Sequence, residues 1–238
     1  MSALYLYLIS YTCWNRMSFM KIKGMKGSTT AEYKKRFYIM LAGVFFMGFF
    51  LSFLIDVDLG TDPCTFMNYT LAQRMHLSFG TWQLILNIML LIICIIVNRH
   101  LLGPGTIANM VFIGYIADFF RWVWSRCIPD NYFTDAPYRY VIFAFAILLF
   151  VISASFYMNS QMGLAPYDAL SYDAGHALHK IPFHFVRIAY DLTAILIGFA
   201  AGGRPNIGTV IMAFALGPMI TAVGSFMNRR FPVNQKKV

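Results

Sequence analysis

Long apolar runs separated by short polar stretches dominate the pattern of this chain. The runs cover residues 37–55, 82–97, 104–123, 140–158, 183–201 and 207–226. Each approaches the roughly 20 apolar residues that cross a bilayer as helix. The second is the shortest and carries Asn87. The pattern predicts an all-α integral membrane protein with six transmembrane helices. Two shorter and more polar stretches, residues 63–77 and 166–180, follow the first and fourth runs. About 15 residues of helix rise only roughly 22 Å, short of a 30 Å hydrocarbon core. Each is therefore expected to be a short re-entrant or interfacial helix. If these helices crossed instead, each half would hold four spans.

The two halves resemble each other at a constant offset of 103 residues. Leu59-Gly60-Thr61-Asp62-Pro63 is answered by Met162-Gly163-Leu164-Ala165-Pro166. Ser52-Phe53 matches Ser155-Phe156, Tyr69 matches Tyr172, and His76 matches His179. Gly105-Thr106 matches Gly208-Thr209, and Gly114 matches Gly217. Three spans per unit is an odd number, so two units in series are expected to sit upside down relative to each other. The expected organisation is a cytoplasmic N-terminal segment (1–36), a first membrane repeat (37–126), a linker (127–139), a second repeat (140–228) and a basic cytoplasmic tail (229–238). The gene start is open to an internal methionine, Met20 or Met25, and residues 1–30 are assigned no function.

Gly60 and Gly163 permit a tight approach, and Pro63 and Pro166 suit the first position of a helix. Asp62 is placed to cap the first short helix. In the second, Asp168 lies in the first turn, where it can serve free N–H groups. Thr65, Asn68, Tyr69, Ala72 and His76 share one face of the first helix. Asp168, Ser171, Tyr172, Gly175 and His179 share the matching face of the second. A paired polar stripe of this kind fits two readings. It can line a binding cavity, or it can be an amphipathic helix lying at the headgroups. In the fifth span Arg187 and Asp191 are four apart and can pair. An aspartate in mid-span is costly to insert and needs a partner, structural or functional. The first repeat has Leu84 and Asn87 nearby, so the halves differ here. Asp118, near an outer end, is expected to be a solvated or snorkelling neighbour of Arg121. Gly105-Thr106, Gly208-Thr209, Gly114 and Gly217 read as close helix packing. The candidate substrate-binding set is Asp62, Thr65, Asn68, Tyr69, Asn87, Asp168, Ser171, Tyr172, Arg187 and Asp191.

Composition agrees with the membrane reading. Hydrophobic residues make up 59% and charged residues 12%, about half the charged share of a soluble domain. The net charge of +9 is clustered at Lys21, Lys23, Lys26, Lys34, Lys35 and Arg36 and at Arg229, Arg230, Lys236 and Lys237. Juxtamembrane placement points to cytoplasmic termini rather than to nucleic acid. Cys13, Cys64, Cys94 and Cys127 show no CxxC spacing and are expected to be free thiols. Asp173, His176 and His179 are a poor metal set. No catalytic or nucleotide-binding string is present, so no enzyme activity, metal or cofactor is expected.

Several of these strings resemble the bacterial YczE/YyaS/YitT family of integral membrane proteins, and the YczE-like branch most of all. They are Leu59 to Thr65, Gly80-Thr81-Trp82-Gln83, Gly163 to Leu170, Arg187 with Tyr190-Asp191, and Gly202-Gly203 to Gly208-Thr209. The resemblance spans residues 37–228 and implies a bacterial inner-membrane protein with a suspected role in transport. It assigns no catalytic residues. Gly80 departs from it in having Phe183 as its counterpart.

The expectation is a secondary transporter or permease for a small polar or anionic solute, with its site between the repeats. The alternative is a non-transporting membrane partner, either a substrate-binding subunit of an energising complex or an assembly factor. Expected partners are the lipid bilayer, a small-molecule solute and, as an open option, a second copy or a partner membrane subunit.

Overall fold

A computed structural model describes residues 30–178, 181–215 and 217 of the chain. The basic residues at 21–26 and 229–237, Cys13, His179, Lys180 and the end of the sixth expected span lie outside the described residues. Every regular element among the described residues is helical. In chain order these are α1 (Thr30–Val57), α2 (Pro63–Arg74), α3 (Phe79–Asn98), α4 (Pro104–Cys127), α5 (Tyr138–Asn159), α6 (Pro166–Ala177), α7 (Phe183–Ala200) and α8, helical over 207–215. One short helical turn, Asn131–Thr134, links α4 to α5.

Among the described residues, four segments are long and apolar enough to cross a membrane: α1, α3 with its following turn (Phe79–Leu101), α5 and α7. α4 is 24 residues long and carries Asp118, Arg121 and Arg126. α1 starts at Thr30, ahead of the apolar run at 37, so Lys34, Lys35 and Arg36 form its first turns.

The short helices are shorter than the 15 residues expected, at 12 residues each. At 1.5 Å per residue each is about 18 Å long. α2 stops because His76 turns left-handed at φ 54° and the Leu77 N–H closes onto the Ala72 carbonyl at 3.0 Å. This is a Schellman ending. His76 is therefore exposed beyond the helix and leaves the polar stripe in which the sequence placed it.

α1 and α5 pack antiparallel at the centre of the molecule. Arg36, near the start of α1, donates from Nη1 to Gln161 Oε1, just past the end of α5, at 3.1 Å. Arg139, near the start of α5, donates to the Val57 and Asp58 carbonyls at the end of α1, both at 2.8 Å. The two arginines are 103 positions apart, as are Asp58 and Gln161, and both of the latter have positive φ, 49° and 57°. The core here is Met40, Val44, Leu51 and Leu54 from α1, with Phe150, Val151 and Tyr157 from α5. α4 joins it through Ala108, Ile113 and Ala117.

Two further bonds keep the same offset. The Gly105 N–H donates to the Met162 carbonyl at 2.7 Å, and the Gly208 N–H donates to the Leu59 carbonyl at 3.2 Å. Each loop ahead of a short helix thus docks on the start of a helix in the other half. The following glycines have φ +133° (Gly60) and +114° (Gly163). A Cβ on Gly60 would strike the backbone of Gly208 and Thr209, and one on Gly163 would sit 2.6 Å from the Gly103 nitrogen and from Thr106 Oγ1. Gly114 packs on Gly80, where an added Cβ would meet the Gly80 Cα at 2.6 Å. The packing role expected for Gly114 is what this contact provides.

Candidate functional site

α2 and α6 both start deep in the molecule. Asp62 caps α2, its Oδ1 accepting from the Thr65 N–H at 3.0 Å. Pro63 opens the helix, where its missing N–H costs nothing. α6 opens with Pro166 but has Ala165 where α2 has its cap, and no side chain closes its end. Asp168 in its first turn takes on a different task and reaches the side of α7.

The N-terminal ends of the two short helices come together against α7. Met67 of α2, Tyr167 of α6 and Ala194 of α7 form one buried cluster, with Cys64, Leu86, Leu90 and Tyr190 packed on it. At its edge lies a polar network centred on Arg187. Nη1 of Arg187 donates to Asp168 Oδ1 at 2.7 Å and to Ser171 Oγ at 3.0 Å. Nε donates to Asp191 Oδ2 at 3.1 Å. The other Asp191 oxygen accepts from the Tyr167 hydroxyl at 2.9 Å. Arg187 also lies over the Tyr167 ring, 5.5 Å from its centroid, and that ring packs on Tyr190 at 4.6 Å. The Asp191 side chain is 3% exposed, Arg187 20% and Asp168 26%. The network therefore runs from a dry floor to a more open rim. Cys64, two residues past the Asp62 cap, packs on the same apolar cluster.

Of the sequence-predicted residues, Asp168, Ser171, Arg187 and Asp191 meet directly, and Asp62 and Thr65 form the neighbouring helix cap. Asn68 turns back along α2, its Nδ2 contacting Cys64 Sγ at 3.4 Å. Asn87 is buried on α3, one residue from Leu86 of the apolar cluster. Tyr69 and Tyr172 go elsewhere. The Tyr172 ring faces His176 and Phe183. Tyr69 joins a second ionic group, in which Arg121 Nε donates to Asp56 Oδ1 at 2.7 Å and Arg121 Nη2 donates to the Tyr69 hydroxyl at 3.1 Å.

Asp118 does not attend Arg121 as expected. Its Oδ2 accepts from the Gly80 N–H at 2.7 Å, which satisfies the exposed amide end of α3. Two participants escaped the sequence reading. Tyr167 is the offset partner of Cys64, a match that marks the position without revealing its bond to Asp191. Asp56 ends a long apolar run and is 65 residues from Arg121, so no periodicity connects them. Cys64, Cys94 and Cys127 are free thiols. Among the described residues no cluster of three His, Cys, Asp or Glu is arranged to hold a metal ion.

Comparison with known proteins places the chain among uncharacterised relatives and adds no activity. The model of a family of unknown function (DUF6198) matches residues 34–225. The chain is 24% identical to "Uncharacterized membrane protein YczE" of Bacillus subtilis (strain 168) over 185 residues, 76% of this chain and 82% of the relative. It is 23% identical to an "Uncharacterized protein" of Haemophilus influenzae (strain ATCC 51907 / DSM 11121 / KW20 / Rd), covering 80% of this chain and 84% of that one. It is 21% identical to "Uncharacterized protein YyaS" of Bacillus subtilis (strain 168), covering 79% and 92%. No solved structure matches.

Proposed function

Because the chain belongs to the family of unknown function DUF6198 and is a multi-pass membrane protein, we propose its function from its own buried site. It is a secondary transporter or permease for a small polar solute, and it is not an enzyme. The observation that carries this reading is the Arg187 network, set where the starts of α2 and α6 converge. Ionisable groups in a membrane interior are costly, and by default they mark a solute or ion pathway. Short helices whose N-termini meet at such a point bring free N–H groups and positive dipole ends to it. An anionic solute, the other option left by the sequence, would meet a guanidinium already held by two carboxylates.

The proposed frame is six spans in two inverted three-span units, with both termini in the cytoplasm of a bacterial inner membrane. It is supported by the antiparallel α1–α5 pair and by bonds repeated at an offset of 103. Tags at residues 30 and 235 should report cytoplasmic and a tag at residue 132 external. A cytoplasmic signal at 132 would overturn the three-span unit.

Flux tests the transporter reading. Sealed liposomes holding the purified protein alone should admit at least one of glycerol, glycine, methylammonium or acetate in a saturable way. The double variant Arg187→Met, Asp191→Leu should not. If none enters, the reading fails and the non-transporting membrane partner takes its place.

A further inference from the structure

α2 and α6 follow one another along α7. Near the start of α7, Phe183 lies against Gly175 of α6, Arg187 meets Asp168 and Ser171, and Asp191 meets Tyr167. Further on, Gly198 packs on Phe66 and Met67 of α2. Just past the end of α7, the Ala201 carbonyl accepts from Arg74 Nη1 and Gly203 packs on Thr70. α6 therefore runs against the direction of α7 and α2 runs with it, so their N-termini point at each other. α3 gives the same order. Phe79 at its start faces the Tyr69 ring of α2, Cys94 reaches the Pro166 carbonyl, and Asn98 reaches Asp173 of α6. Asp191 and Gly198 are seven residues apart, about 10 Å of helix. Met67 lies four residues inside α2 and Tyr167 one inside α6, which takes up about 7–8 Å. The two starts are thus level to within about one helical turn, and Met67, Tyr167 and Ala194 close in one buried cluster beside them.

The two starts differ in what they leave unpaired. Asp62 and Ala165 are offset partners, and both hold the extended backbone of an N-cap, at φ −62°, ψ 155° and φ −58°, ψ 145°. Asp62 uses that geometry, with Oδ1 accepting from the Thr65 N–H. Ala165 has no oxygen to offer, so the first-turn N–H groups of Tyr167 and Asp168 have no side-chain cap. On the α2 side an acceptor is left over. Asp62 is 8% exposed, and its Oδ2 is buried without a hydrogen-bond partner among the described residues. Donors stand on one lip of the gap and a carboxylate oxygen on the other. Leaving either kind buried and unpaired is costly.

We propose, on the reading of the protein as one that handles a small polar solute, that the gap between the two helix starts binds a small zwitterion, an α-amino acid such as glycine. Its carboxylate accepts from the Tyr167 and Asp168 N–H groups and so supplies the cap that Ala165 lacks, at the positive end of the α6 dipole. Its ammonium donates to Asp62 Oδ2. A simple anion would fill the first role and leave Asp62 unpaired. A simple cation would do the reverse. Arg187 keeps its bonds to Asp168, Ser171 and Asp191 and walls the site on the α7 side.

The test is equilibrium binding of radiolabelled glycine to the purified full-length protein in detergent, with the melting temperature as the check on folding. The expected result is saturable binding that unlabelled glycine displaces. Acetate and methylammonium, each carrying half of the zwitterion, should need about tenfold higher concentrations or more. Asp62→Asn keeps a good helix cap and removes the charge, so it should melt like the parent and bind glycine about tenfold more weakly. Ala165→Ser gives α6 a cap of its own. It should melt at or above the parent temperature and weaken glycine binding by about the same factor, because the hydroxyl then holds an N–H that the carboxylate needs.

Absence of saturable binding would overturn the assignment. So would displacement by acetate or by methylammonium as effective as that by glycine, or undiminished binding in both folded variants. Saturable entry of glycerol into liposomes from the same preparation, without glycine binding, would overturn the zwitterion site and leave the transporter reading standing. Glycine binding with no entry of any solute would uphold the site and remove the transporter reading in favour of a substrate-binding subunit.

Discussion

Two partly buried arginines in this molecule solve the same problem in different ways. Arg121 holds α4 to the end of α1 through a single carboxylate, Asp56, and rests beside Tyr69. One cation meets one anion, and the side chains are 27% and 18% exposed. Arg187 lies between two carboxylates on different helices, one of them almost dry, and a tyrosine hydroxyl closes the far side. The first group is balanced and reads as a clasp between two long helices. The second is over-supplied with negative charge and sits where two short helices begin. A buried ion pair by itself says little about function. An imbalance that the fold tolerates at the convergence of helix ends says more, because a structural clasp has no need of it.

The largest effect should separate the two groups most sharply. Asp191→Ala strands Arg187 on its dry side and leaves the Tyr167 hydroxyl without its acceptor. It should cost about 3–5 kcal/mol of stability, read as a large drop in detergent melting temperature. The double variant Arg187→Met, Asp191→Leu should regain only part of that loss, because Asp168 then stands without its partner. Full recovery would mean that Asp168 is solvated and that the network is a simple pair.

A medium effect is expected at the clasp. Asp56→Ala should cost about 1–3 kcal/mol, since the pair is only partly buried. Once folded, the variant should keep its full liposome flux. Loss of flux without loss of folding would erase the distinction between the two arginines. The smallest effect is Ser171→Ala. It removes the hydroxyl that accepts from Arg187 Nη1 and donates to the Asp168 carbonyl and should cost about 1.5 kcal/mol, with the ionic contacts to Asp168 and Asp191 intact. A loss as large as that of Asp191→Ala would show that Ser171, and not the charge pair, sets the position of Arg187.

The short helices show how far local chemistry reaches. Gly60, Asp62 and Pro63 announce the start of α2, and Gly163 and Pro166 the start of α6, because turn geometry, capping and the missing proline N–H act within a few residues. Their ends were less legible. His76 looked like the last member of a helical stripe, yet it became the left-handed residue of a Schellman ending, a role more often given to glycine. The site divides in the same way. Arg187 and Asp191 were visible as a pair because four residues make one helical step. Asp168 was visible as a polar residue near a helix start, with no hint that Arg187 would claim it from 19 positions away.

What the amino-acid order determined by itself is therefore most of the helices, the starts of the two short ones and the apolar runs of the long ones. These follow from periods and offsets that need no third dimension. Only the tertiary structure decided which polar faces meet. Helix periodicity places residues on a face, but rotation and depth are set by packing against other helices. That packing sent Tyr69 to Arg121 and Asp118 to the Gly80 amide, and it brought Tyr167 and Asp168 together beside α7. Burial then pressed the polar groups there to find partners, as Tyr167, Asp168 and Asp191 do around Arg187.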